Sequence, residues 1–147
     1  MSMFSDPIPF FPEPTIQAVL DRSALESYAR GHVHVGELVA TIADDDNLVA
    51  VPAVALLEAH IRWMGDKHAQ ALLQLFVTLR GVTVLSLGAP EIQDVAESVE
   101  STGGDMSRGH SVWAALEHNA VYFTTEPDQV AGILTDSQVI SIPRHDA

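Results

Sequence analysis

Short apolar runs take turns along this chain with stretches whose apolar residues recur every three or four positions, and that alternation constrains the fold more than any other feature. The runs IQAVLD (16–21), LVAV (48–51), VTVLSL (82–87), AVYF (120–123) and QVISI (138–142) are too short for globular helices and rich in β-branched or aromatic residues, so they read as strands. Between them, SALESYAR (23–30) reads as a helix stopped by Gly31. Val35, Leu38, Val39 and Ile42 fall on one face of a second helix, and Leu72, Leu73, Phe76 and Leu79 mark another. Pro52 opens a helix at its tolerated first-turn position, with Val54, Leu57, Ile61 and Met64 as the expected core stripe. Ile92, Val95, Ala96 and Val99 give a helix up to Thr102-Gly103-Gly104. Asp105 opens the next, with Gly109, Val112, Trp113 and Leu116 toward the core, and EPDQVAGIL (126–134) reads as a short helix. Strands that are apolar throughout are buried on both faces, and parallel neighbours need crossover connections. The pattern therefore predicts a three-layer α/β/α sandwich around a mainly parallel sheet.

The 147 residues suit one domain, expected over residues 15–143. Residues 1–14 carry four prolines and read as an extended arm whose Phe4, Phe10 and Phe11 find packing partners; residues 144–147 are a short tail. No basic signal-like leader and no apolar run near the roughly 18 residues of a membrane span occurs, so a soluble, cytoplasmic protein is expected. Twenty acids against seven Lys and Arg leave a charge of 7 − 20 = −13, which excludes a sequence-independent duplex binder and a protein held on anionic lipid. Cysteine is absent, so thiolate metal sites and disulfides are excluded.

Sites in open parallel sheets form beyond the carboxyl ends of the strands. Asp21 closes the first strand, Glu58 lies two helical turns after the second, Asp105 starts a helix, and Glu126 follows the fourth strand. Crowded carboxylates with no thiolate suit Mg²⁺ or Mn²⁺ better than structural zinc. Arg22 adjoins Asp21, Arg62 lies one turn past Glu58 and Arg108 one turn past Asp105, making these three candidates for phosphate contacts. Each acid also has a plainer reading. Asp21 serves as a strand-end turn residue, Ser23 as a helix cap, Glu58 with Arg62 as an i,i+4 ion pair, Asp105 as an N-cap, and Thr125 with Asp128 as a capping box. The seven histidines lack metal-ligand spacing and are expected at the surface or in support. Trp113 is expected in the core, and Asp44-Asp45-Asp46-Asn47 in a solvated loop.

From about Val19 to Ile142 the chain resembles the PIN-domain ribonucleases, and particularly the VapC-like toxins of VapBC-type toxin–antitoxin pairs. The residues that carry the resemblance are LDRSAL (20–25), Glu58 in VPAVALLEA (51–59), Asp105 leading DMSRGHSVWAALEHN (105–119), and TTEPD (124–128) after the fourth strand. It implies that Asp21, Glu58 and Asp105 are the principal metal-site acids, with Glu126 in the fourth position and Ser23 and Thr124 as supporting polar residues. That fourth position is usually aspartate; glutamate reaches a methylene further, and Asp128 is the alternative occupant. The resemblance implies Mg²⁺-dependent hydrolysis of RNA phosphodiesters with one or two ions, Mn²⁺ substituting. It also implies a cognate antitoxin that inserts an Arg or Lys among the carboxylates, and a homodimer. Two other functions fit the same residues: a catalytically idle PIN-like binding or regulatory module, and a divalent-metal phosphohydrolase acting on DNA or nucleotides.

Overall fold

The computed structural model describes residues 13–144, so the arm's Phe4, Phe10 and Phe11 and the last three residues lie outside the described part. Five strands, β1 (Ile16–Leu20), β2 (Leu48–Pro52), β3 (Val82–Leu85), β4 (Val121–Thr124) and β5 (Val139–Ser141), form one sheet in the order β3-β2-β1-β4-β5. Every neighbouring pair is parallel. Six helices connect them: α1 (Arg22–Ala29), α2 (His34–Asp44), α3 (Ala53–Arg62), α4 (Lys67–Phe76), α5 (Ile92–Ser101) and α6 (Met106–Glu117). This is the three-layer α/β/α architecture the alternation predicts.

Strand pleating sorts the core in two. Ala18 and Leu20 of β1, Val49 and Val51 of β2, and Phe123 of β4 point to the face covered by α1, α2 and α4, where Leu25, Val35, Val39, Leu73 and Phe76 meet them. The intervening Val19, Ala50 and Tyr122 point to the opposite face and pack on α6 through Val112, Ala114 and Ala115. Helix α5 lies outside α6. The two approach so closely that a Cβ on Gly109 would stand 2.4 Å from Val99 Cγ2 and 2.5 Å from Val99 Cα, so only glycine fits there.

Several sequence expectations change on packing. The stripe of α3 is turned outward: Leu57, Ile61 and Met64 are exposed, while Ala55 and Ala59 are fully buried. Helix α3 wedges between α1 and α6, where only alanine-sized side chains leave room for the backbones to approach. In α6, Leu116 is exposed, whereas Ser107, His110 and Ser111 are buried beside Gly109 and Val112. Segment 126–134 forms a 3-10 turn, Pro127–Gln129, rather than a helix, and no side-chain bond completes the Thr125–Asp128 capping box. Gly132 at φ +83° turns the chain so that Val130 and Leu134 both reach the core beside Tyr122. His110, expected at the surface or in support, has no exposed surface. Trp113 packs against the α6-side core, and Asp44, Asp45 and Asp46 are exposed, as expected.

Candidate functional site

The chain leaves β1 for β2 on one side and later returns to lay β4 on the other, so the boundary between β1 and β4 is the switch point of the sheet. Connections diverge there and open a crevice beyond the carboxyl ends of the strands. Asp21 follows β1 directly and Thr124 ends β4, which places both at that crevice.

Asp21 caps α1: its Oδ1 accepts hydrogen bonds from the Ala24 amide at 3.0 Å and from Ser23 Oγ at 2.6 Å. Its Oδ2 accepts from the Tyr122 hydroxyl at 3.1 Å. The carboxylate is 6% exposed. Burial pushes its pKa above the ordinary value, against the opposing pull of bonds from Ser23, Thr124, the Ala24 amide and Tyr122. The same burial, with the Asp21 charge beside it, drives the Tyr122 hydroxyl strongly up, so it stays a donor. Ser23 does not cap the helix. Its Oγ accepts from the Thr125 amide at 2.9 Å and lies 3.1 Å from Thr124 Oγ1, which accepts from the Glu126 amide at 2.9 Å. These hydroxyls tie the end of β4 to the start of α1 and fix where Glu126 stands.

Two guanidinium groups link the remaining acids. Arg22 pairs with Glu26, one turn further along α1, and reaches Glu126 at 3.2 Å and Glu58 at 3.8 Å. Burial pushes the Arg22 pKa down, and Glu26, Glu126 and Asp21 together more than reverse it. Arg108 reaches Asp105 at 3.2 Å and Glu126 at 3.9 Å. Asp105 caps α6, with its Oδ1 accepting from the Arg108 amide at 2.9 Å and from Ser107 Oγ at 3.1 Å. Burial pushes Asp105 up, but the Arg108 amide and guanidinium, Ser107 and Arg22 outweigh it and hold the carboxyl below its ordinary value.

Arg22 and Arg108 therefore join Glu58, Asp105 and Glu126 along one rim, and Ser23, bonded to Asp21 and beside Thr124, ties Asp21 to the Glu126 segment. The i,i+4 pairing of Glu58 with Arg62 does not form; Glu58 turns to Arg22, and Arg62 to Glu26 at 3.9 Å. Asp128 is exposed on the 3-10 turn, and no bond among the described residues joins its side chain to the rim. Glu26, Tyr122, Arg30 and Arg144 were not singled out by the sequence. Glu26 was detectable as the one acid in a buried helix, four residues after Arg22.

The donor set suits a hard divalent cation, being all oxygen and including the buried carboxylate of Asp21, whose hydrogen-bond donors Ser23, the Ala24 amide and Tyr122 are all neutral. As the side chains stand, guanidinium groups hold the space between the acids. Among the described residues no three Asp, Glu or His converge closely enough to share one ion. The acids fit a metal in kind, but as the side chains stand they do not fit it in place.

By fold, the chain belongs with known proteins of low sequence similarity. It superposes on the PAE2754 protein of Pyrobaculum aerophilum with a TM-score of 0.58 at 17% identity, covering 88% of this chain and 87% of that one. It superposes on a chain of a toxin–antitoxin complex from Klebsiella pneumoniae with a TM-score of 0.59 at 14% identity, covering 89% of this chain and all of the other. At such identities the likeness is one of fold. No family model matches the sequence, and no curated protein matches it.

Proposed function

We propose that this chain is a Mg²⁺-dependent endoribonuclease of the kind that forms the toxin of a type II toxin–antitoxin pair. The observation that supports the reading is that Arg22 and Arg108 link Glu58, Asp105 and Glu126 at the carboxyl edge of a parallel sheet, where Asp21 closes β1 beside the switch point. The shared fold with a chain of a toxin–antitoxin complex supports the toxin role and an antitoxin partner. A homodimer and Mn²⁺ in place of Mg²⁺ are part of the same proposal.

A Mg²⁺ ion bound here would supply an activated water and offset charge on the scissile phosphate. The four acids would hold that ion, and Ser23, the Ala24 amide and Tyr122 orient Asp21. Thr124 sets the position of Glu126 through the Glu126 amide. Arg108, Arg62 and a displaced Arg22 bind the phosphates of the strand, giving locally the attraction that the overall charge of −13 denies.

The placement of Arg22 and Arg108 inside the rim favours a second reading, a catalytically idle PIN-like module whose acids are neutralised by its own arginines. Mn²⁺ binding followed by electron paramagnetic resonance separates the two, with cleavage of single-stranded RNA, single-stranded DNA and nucleotides in parallel. The nuclease reading expects Mn²⁺ uptake that Asp21→Asn weakens, and RNA cut in preference to the others. Absence of Mn²⁺ uptake and of cleavage would leave the idle module.

A further inference from the structure

Seven side chains in this chain are Lys or Arg, and five of them, Arg22, Arg30, Arg62, Arg108 and Arg144, gather at the carboxyl edge of the sheet. Three of the five are matched by carboxylates. Arg30 and Arg144 are not: among the described residues Arg30 meets only the ring of Trp63, 5.8 Å away, and Arg144 donates through Nε to the Thr125 carbonyl at 3.2 Å. Both border a cavity of about 90 Å³ whose remaining walls are Arg22, Ser23, Glu26, Thr125 and Glu126. Its charged groups are three guanidiniums and two carboxylates, so 3 − 2 leaves a net charge of +1. The volume equals that of roughly three water molecules. It suits a phosphate group and is too small for a base.

We infer that this cavity is a subsite for one phosphodiester of a nucleic-acid strand, bound by Arg30 and Arg144 beside the acidic rim. The inference rests on the ribonuclease reading and deepens it by naming where the strand is held outside the acids. A strand is favoured over a free anion because a second cleft, lined by Arg22, Glu26, Glu58, Ile61 and Arg62, adjoins the first and shares the Arg22 and Glu26 wall. Guanidinium groups without a carboxylate partner are the ones free to bind phosphate with two parallel N–H bonds.

The test is fluorescence anisotropy of a labelled single-stranded RNA 12-mer in EDTA, titrated at several salt concentrations. Wild type, Arg30→Ala/Arg144→Ala and the control Arg80→Ala are compared. The double variant is expected to bind roughly tenfold or more weakly. Its slope of log affinity against log salt should be shallower by about 0.7, the value for one lost phosphate contact to a single strand. Arg80→Ala should match wild type. Wild-type affinity and slope in the double variant would overturn the subsite, as would failure of the wild-type protein to bind the RNA. Competition with inorganic phosphate tests the source: if low-millimolar phosphate displaces the strand from wild type alone, the occupant is a free anion and the strand assignment falls. Cleavage of the same RNA with Mg²⁺ keeps the two readings apart. Binding with the expected pattern but no cleavage sinks the nuclease and keeps the subsite. Cleavage with unchanged binding in the double variant does the reverse.

Discussion

The two ends of the sheet hold clusters of the same ingredients in different solvents. At the amino end Arg80 lies 3.2 Å from Asp44 and 3.8 Å from Asp46, with side-chain exposures of 67%, 78% and 91%. At the carboxyl end Arg22 and Arg108 are 25% and 15% exposed, and Glu26 is 7% exposed. Nearly equal separations thus have unequal consequences. In water the attraction is small and screened, while in a half-buried site each charge has lost hydration and depends on its partners. The difference teaches that the carboxyl end is an organised charge system: removing one member exposes the others to an uncompensated burial.

The largest expected effect comes from Asp21, a nearly buried acid. If Asp21 holds a catalytic ion, Asp21→Asn should lower RNA cleavage at least about 100-fold, because a ligand to such an ion stabilises several kcal/mol of developing charge. Asp44→Asn at the other end should leave cleavage unchanged. The same Asp21→Asn variant should also be no less stable than wild type at neutral pH. Burial raises the folded-state pKa of Asp21 above 3.8, so its contribution to stability is complete below that pH and is lost as pH rises through the folded value. Urea unfolding at pH 4 and pH 7.5 reads this directly; a variant that becomes relatively less stable at the higher pH would contradict the sign. Arg22→Ala comes next, with an expected cost of about 2 kcal/mol, below the full penalty for a broken buried pair because Arg22 keeps some solvent. Glu26 would be left with Arg62 alone at 3.9 Å. A cost no larger than that of Arg80→Ala would break the contrast between the two ends.

How much of this was legible beforehand follows from which residues needed only near neighbours. The five strands and the helices of residues 22–44 follow from local periodicity, although at the sheet edges Val84 of β3 and Ile140 of β5 stay exposed. Helix α3 misled because its larger apolar residues, Leu57, Ile61 and Met64, face outward while Ala55 and Ala59 fill a gap set by α1 and α6. Size, not hydrophobicity, decided which face went in, and size demands come from partners distant in sequence. At the rim, Asp21 and Asp105 could be found as the residues that end a strand and open a helix, since chain order alone puts them there. The bridging of Glu58 and Glu126 by Arg22, and the approach of Arg144 to Arg30, bring together residues far apart in the chain, which no local pattern encodes.

A buried group with no counter-charge sharpens the comparison further. His110 has no exposed surface, and neither ring nitrogen has a hydrogen-bond partner among the described residues. Burial lowers its pKa below 6.5, against the opposing pull of Glu91. Because the folded state favours the neutral ring, stability from this residue is complete above pH 6.5 and is lost as pH falls through the depressed folded value. Thermal unfolding of wild type and His110→Leu between pH 7.5 and 5 should show a steeper loss in wild type. Parallel curves would show that the ring reaches water when charged.

The smallest effect belongs to the amino end, and it is the prediction on which the contrast is most easily lost. Arg80→Ala should change unfolding free energy by no more than about 0.5 kcal/mol, because its partners are as hydrated in the pair as out of it. Whatever effect remains should vanish in 1 M salt, where the screening length falls to about 3 Å. The cost of Arg22→Ala should survive the same salt, since ions do not enter the space between Arg22 and the nearly buried Glu26. Equal salt sensitivity in the two variants would mean that the carboxyl edge is as open to water as the amino edge. The arginines there would then be surface charges that happen to lie near acids.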